Sequence, residues 1–247
     1  MKLPLLLITV LIPAALFAQT TRRTNEDLNT KEVFYVLKSD KNIKEGTYFR
    51  YTNFGNKLVC EGFYKNNLKD SLWKYYSFRV ENKLSASGSY KSDKRVGLWN
   101  FYTYTGDLRL QYDYTDKKVL FVKGSSRDSS AKFNVISGAD TVKTLLERPP
   151  IFLESDEGFG RPLFTGLRYP LDAKNANIQG KVLIAFTIDQ NGNVSNYRVK
   201  KELGYGCDEE ALNAVKRLTA EWLPGMLNGN PVVVEYEIPI SFTLSNQ

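Results

Sequence analysis

Val232-Val233-Val234-Glu235-Tyr236-Glu237-Ile238-Pro239-Ile240-Ser241-Phe242 alternates side chains with a period of two. Such alternation marks a strand with one face on a core, and here the even positions supply that face. Pro239 falls among the odd positions. Lacking an N–H, it cannot donate to a ladder, which predicts that this strand lies at the edge of its sheet. An edge leaves backbone donors and acceptors unpaired. Glu235 and Glu237 then either keep a bare edge from aggregating, as solvated charges, or flank a place where a guest strand pairs.

Upstream, Val182, Ile184, Phe186 and Ile188 share one face of another strand. Asp189-Gln190-Asn191-Gly192 reads as its turn, after which Tyr197 and Val199 supply the same face of the returning strand. Asp208 is expected to cap a helix, with Glu209 and Glu210 in its positive first turn. Ala211, Ala214, Val215, Leu218 and Trp222 recur at helical spacing and form the stripe that covers the hairpin. A Trp222-Leu223-Pro224-Gly225 corner leads into the final strand. The expectation is an α+β unit of hairpin, helix and last strand.

This ordered set resembles the C-terminal domain of the TonB family. The matching positions are Tyr169-Pro170, Ala173, Gly180-Lys181-Val182, Phe186, Ile188-Asp189, Gly192, Val194, Leu203-Gly204, Asp208, Ala211-Leu212, Val215, Trp222, Pro224-Gly225, Asn228-Gly229, Pro231-Val232, Pro239-Ile240 and Phe242. The resemblance implies a TonB-C-like domain over residues 150–247. It also implies that the last strand pairs with an extended peptide of an outer-membrane TonB-dependent receptor, recognition by strand addition. Carried over, the partner-binding residues are Val232, Val233, Val234, Glu235, Tyr236, Glu237 and Ile238, helped by Arg168, Tyr169 and Pro170. About six backbone hydrogen bonds at about 0.5–1.5 kcal/mol net each, less the cost of ordering the peptide, predict a transient, micromolar complex. The family's energy-transducing members look like a membrane helix, a long proline-rich spacer and then this domain. This chain has 9 prolines and no such tract, so the expectation is a soluble periplasmic binding module.

Residues 1–18 hold Lys2, an apolar run interrupted by Pro4 and Pro13, and Ala18, which outlines a cleaved secretory signal peptide. The run is shorter than the roughly 20 residues that span a bilayer as a helix. An uncleaved segment anchoring the chain in the inner membrane is the alternative.

The middle of the chain repeats. Gly62-Phe63-Tyr64-Lys65 recurs as Gly88-Ser89-Tyr90-Lys91, Trp73 as Trp99, and Tyr75-Tyr76 as Phe101-Tyr102, each 26 residues on. The units resemble MORN-type repeats, best at Gly97-Leu98-Trp99-Asn100-Phe101-Tyr102; Ser71 stands where the preceding unit should have glycine. The resemblance implies an all-β antiparallel sheet over residues 31–123, each unit a hairpin with glycines allowing its turns and aromatics stacked on one face. Residues 124–149 read as a linker that also holds strand-forming sequence; residues 124–130 are small and polar. Residues 1–146 carry 24 Lys+Arg against 14 Asp+Glu, and residues 147–247 carry 10 against 13, so the net charge divides as +10 and −3. A basic repeat half suits contact with envelope lipid or glycan, or a scaffolding role. Nucleic acid is not an expected partner. In that rival reading the TonB-like domain serves only to pack or to form a homodimer.

Catalysis is not expected. The chain has no histidine, which removes Ser-His, Cys-His and most zinc arrangements. Cys60 and Cys207 lack metal-ligand spacing and read as free thiols. Gly204-Tyr205-Gly206 reads as a strand-to-helix turn rather than a nucleotide loop, and Asp156, Glu157 and Asp172 as solvated loop carboxylates. No cofactor or metal is implied.

Overall fold

The computed structural model describes residues 19–123, 131–218 and 221–244. The expected signal peptide and the polar stretch 124–130 lie outside the described residues. The chain divides into two compact units, Met1–Trp99 with Asp113–Lys118, and Asn100–Tyr112 with Val119–Gln247.

Nine strands form an antiparallel meander in which neighbours in sequence are neighbours in the ladder: β1 Thr20–Glu26, β2 Thr30–Leu37, β3 Lys44–Thr52, β4 Leu58–Lys65, β5 Leu68–Tyr76, β6 Leu84–Lys91, β7 Lys94–Tyr102, β8 Leu108–Asp113 and β9 Lys118–Val122. β1 has no apolar alternation and is almost wholly exposed. Its pairing with β2, from Thr20↔Leu37 to Glu26↔Lys31, holds it in place.

The repeat is visible as repeated chemistry. The two-residue turns Asn66-Asn67 and Ser92-Asp93 both place two successive residues at positive φ, the geometry whose twist matches a hairpin. Asn67 and Asp93 accept, through Oδ1, the backbone N–H of Lys44 and Lys69, each at 2.7 Å. The glycines expected at the turns sit elsewhere: Gly62 and Gly88 lie inside β4 and β6, beneath indoles. A Cβ on either would stand 2.2 Å from the ring of Trp73 or Trp99. The indole N–H groups donate to the carbonyls of Phe63 (3.1 Å) and Ser89 (3.0 Å). Both tryptophans are buried, and Tyr64 and Tyr90 meet them edge-on. Ser71 and Gly97, 26 residues apart, share a left-handed backbone at φ +60° and +58°. Glycine adopts that conformation freely and serine at a cost.

The second unit contains β10 Lys132–Ser137, β11 Asp140–Leu145, β12 Ile151–Phe152, α1 Asp156–Gly166, α2 Leu171–Asn175, β13 Gly180–Ile188, β14 Val194–Lys201, α3 Cys207–Lys216, β15 Trp222–Leu223, β16 Gly225–Leu227 and β17 Asn230–Phe242. The main sheet runs β11-β10-β17-β13-β14, with β16 on β17 and a separate β12-β15 pair. The expected hairpin is present: Val182, Ile184, Phe186 and Ile188 are buried against Ala211, Ala214 and Val215 of α3, and Tyr197 and Val199 pack beside them. Asp189 holds the turn by accepting the N–H groups of Asn191 (2.8 Å) and Asn193 (2.9 Å).

Three local expectations are corrected. Asp208 does not cap α3. The cap position is Gly206, left-handed at φ +80°, and the Asp208 carboxylate instead accepts the N–H groups of Leu203 and Gly204, fastening the turn before the helix. Trp222 is not on the helix either: α3 ends at Lys216, and Trp222 pairs with Phe152 across β15 and β12 while its ring joins the same core. Asp156 lies in a helix, α1, rather than a loop. Ser155 caps it by accepting the Gly158 N–H at 2.9 Å, and Asp156 faces Arg109 at 3.4 Å.

Candidate functional site: the flanks of the last strand

β17 spans 13 residues. Val234, Ile238, Ile240 and Phe242 are buried and Val232 and Tyr236 half-buried, so the even positions face the interior as the alternation predicts. β13 pairs along one flank, from Ile188↔Val234 to Gly180↔Phe242. The open edge expected across residues 232–238 is corrected for residues 232–235. On the other flank β10 pairs through Ile136↔Val233, Val135↔Val234 and Asn134↔Glu235; before these positions β16 pairs with Asn230, Pro231 and Val232. The cause is a small apolar cluster: Val135, Leu146 and Val234 are buried together with Phe133 and Val232 against them, and the Phe133 and Tyr236 rings stack 6.2 Å apart. From Tyr236 to Phe242, β13 is the one ladder partner among the described residues. Pro239 lies in this stretch, where a missing N–H disturbs no second ladder.

Glu235 is not a solvated guard. It is 8% exposed and accepts from Asn134 Nδ2 (3.1 Å), Lys200 Nζ (2.9 Å) and the Arg198 guanidinium. Burial alone would raise its pKa; the bonds from Lys200, Arg198 and Asn134 outweigh burial and hold the carboxyl below its ordinary value. One side chain thus ties β10, β14 and β17 together. Lys200 also meets Glu237.

Arg168, Tyr169 and Pro170 gather at the Phe242 end of β17 rather than beside Val232. The Tyr169 ring meets Phe242 edge-on at 5.6 Å and its hydroxyl donates to the Ile178 carbonyl. Pro170 opens α2, and the Arg168 N–H donates to Glu210 at 3.3 Å. Sequence reasoning missed Asn134, Arg198 and Lys200. The alternation of Phe133 and Val135 before a Ser137-Gly138 turn was the available signal for β10, although it named no partner.

Both cysteines are buried free thiols, and burial pushes Cys60 up to about 11. Among the described residues no group of three or more His, Cys, Asp or Glu is placed to hold a metal ion, and no helix is long and apolar enough to cross a membrane.

Residues 165–244 match the family described as Gram-negative bacterial TonB protein C-terminal. The matched stretch runs from the end of α1 through β17 and holds β13, β14 and β17 but not β10. The TonB C-terminal family is a periplasmic, non-enzymatic binding and energy-transduction domain of envelope transport, whose members interact with outer-membrane TonB-dependent receptors. Searches of curated proteins and of solved structures found no match.

Proposed function

We propose that this chain is an exported, periplasmic TonB-like module that takes up an extended segment of an outer-membrane TonB-dependent transporter by strand addition on β17. The observation that carries the reading is the flank of residues 236–242. It lies within the stretch that matches the TonB family and, among the described residues, has no second strand paired to it. Of the expected contact residues, Tyr236, Glu237 and Ile238 begin this flank and Tyr169 packs at its far end. Val233, Val234 and Glu235 would join only where a guest displaced β10. Alternate residues of a strand present N–H and C=O to one flank, and Pro239 withholds one donor. A guest would therefore make about five backbone hydrogen bonds at about 1 kcal/mol net each, less its ordering cost, so the complex is weak and reversible.

The test is site-specific photo-crosslinking of the full chain, with a benzophenone amino acid at Glu237 or Ser241, in outer-membrane extract. A TonB-dependent receptor recovered from either position supports the proposal. A folded protein that cross-links to no such receptor from both positions overturns it.

A second reading is favoured by one feature of the first unit. Lys44, Lys69 and Arg95 stand at corresponding places in successive hairpins, with Lys69 and Arg95 each 4.6 Å from the ring of Trp73 or Trp99. With the +10 charge of residues 1–146, a MORN-like scaffold that contacts anionic envelope lipid or glycan would use this row. Cosedimentation with anionic but not neutral vesicles would support it; equal recovery with both would remove it.

A further inference from the structure

The second unit contains a cavity of about 730 Å³, within the size range that encloses small organic ligands. All its lining residues belong to that unit. Phe152, Trp222 and Tyr236 supply an aromatic wall: the Trp222 ring stands 5.0 Å from each of the other two. Arg109 and Arg148 converge on the same space, and among the described residues each keeps its Nε–H buried without a hydrogen-bond partner. Buried donors are almost always paired, so two unsatisfied guanidinium N–H groups on one cavity call for an acceptor.

The two arginines are not equivalent. Arg109 is engaged structurally: Nη2 donates to the carbonyls of Phe152 (2.9 Å) and Glu154, and Nε lies 3.4 Å from Asp156, close enough to neutralise charge but without a hydrogen bond. Among the described residues the Arg148 side chain makes one weak hydrogen bond, from Nη2 to the Pro224 carbonyl at 3.3 Å. Its neighbour Glu147 accepts the Gly229 N–H at 2.9 Å, and Lys123 pairs with Asp107 at 3.2 Å. The lining therefore holds three cations, Arg109, Lys123 and Arg148, against two carboxylates, Glu147 and Asp156, with Arg148 the least committed. Burial pushes both guanidinium pKa values down, yet arginine stays charged at neutral pH.

We infer that this cavity is a binding site for a small organic monoanion, a carboxylate or sulfonate on a flat apolar body, with the anion on Arg148 and the body against Phe152, Trp222 and Tyr236. A planar guanidinium matches such a group through paired N–H bonds, and aromatic rings give a flat ligand its contact area. The inference does not depend on strand addition at β17.

The experiment titrates the full chain with 8-anilinonaphthalene-1-sulfonate and with its uncharged counterpart N-phenyl-1-naphthylamine, following dye fluorescence and the quenching of tryptophan. The expected result is saturable binding of one sulfonate dye per chain, about tenfold or more tighter than the neutral dye. Arg148→Met should erase that preference while leaving neutral-dye binding unchanged, and Arg148→Lys should retain part of it. Near-UV circular dichroism checks that each variant is folded; if Arg148→Met does not fold, Arg148→Lys alone decides by the size of the preference. Equal affinity for the two dyes, uptake of several dyes per chain, or a preference that survives in folded Arg148→Met, or undiminished in Arg148→Lys should Arg148→Met not fold, overturns the inference.

Discussion

Gly88→Ala tests the packing of the repeat unit directly. The new methyl would stand 2.2 Å from the Trp99 ring, where carbon atoms ordinarily rest about 3.5–4.0 Å apart. The indole must therefore retreat by more than about 1 Å, yet Trp99 is fully buried in an interior packed without spare room. Overpacking of this kind costs about 1–3 kcal/mol. Displacing the ring also pulls its N–H from the Ser89 carbonyl, and an orphaned buried donor adds about 1–3 kcal/mol. The expected loss is about 4 kcal/mol, a large share of the about 5–15 kcal/mol that stabilises a typical domain. Urea unfolding of the full chain, read by tryptophan fluorescence and far-UV circular dichroism, should show the repeat transition moved down by about 2 M. Trp99→Leu removes the obstructing ring, so the double variant should lose less than the sum of the two single changes. Gly62→Ala should behave alike, because its Cβ would meet Trp73 at the same distance. A Gly88→Ala protein within 1 kcal/mol of the parent, or additive behaviour in the double variant, would refute the reasoning.

Ser71→Gly should raise stability by about 1 kcal/mol, since serine at φ +60° carries left-handed strain that glycine lacks; a thermal melt with no increase counts against it. Val233→Pro should destabilise the second unit by about 3 kcal/mol by breaking the ladder at Ile136↔Val233, and hydrogen exchange should show β10 and β11 losing protection first; unchanged protection of those strands would contradict the pairing. Glu235→Gln should cost about 1–2 kcal/mol at pH 7, a figure kept low because Arg198 and Lys200 are 51% and 38% exposed and solvent-screened. The Glu235 carboxyl is held below its ordinary value, so its contribution is present above the unfolded pKa of about 4.3 and is lost as pH falls through the lower folded value. The gap between parent and Glu235→Gln in urea midpoint should therefore close on going from pH 7 to pH 3; a constant gap would rule the ion cluster out as its source.

What could be read in advance follows the range of each interaction. Val182 to Ile188 and the even positions of β17 were legible because a half-buried strand writes its own period. Pro239 was informative about its own flank but silent about Val233 to Glu235, because β10 arrives from about a hundred residues upstream and only a few side chains of each strand touch. Helix α1 was illegible for the opposite reason. Gly158, Gly160 and Pro162 are poor helix formers, and beyond the local Ser155 cap what holds the segment is tertiary: the Arg109–Asp156 contact and the packing of Phe159 and Leu163 into the core. Trp222 fell on the helical stripe by spacing alone; its true neighbour is Phe152, seventy residues earlier. Gly62 and Gly88 were visible as repeated positions, but their purpose depends on an indole on the adjacent strand, while the left-handed turn positions belong to Asn66, Asn67, Ser92 and Asp93.

Trp73 and Trp99 each reach back over a glycine one strand earlier, and the Asn66-Asn67 and Ser92-Asp93 turns each accept an N–H from the strand that precedes their hairpin. A unit so wired carries its own instructions for joining the next. Such a sheet behaves as a ruler graduated in pairs of strands, about 10 Å per graduation at ordinary strand spacing. Duplicating or excising one 26-residue graduation would change its length and leave every remaining joint intact.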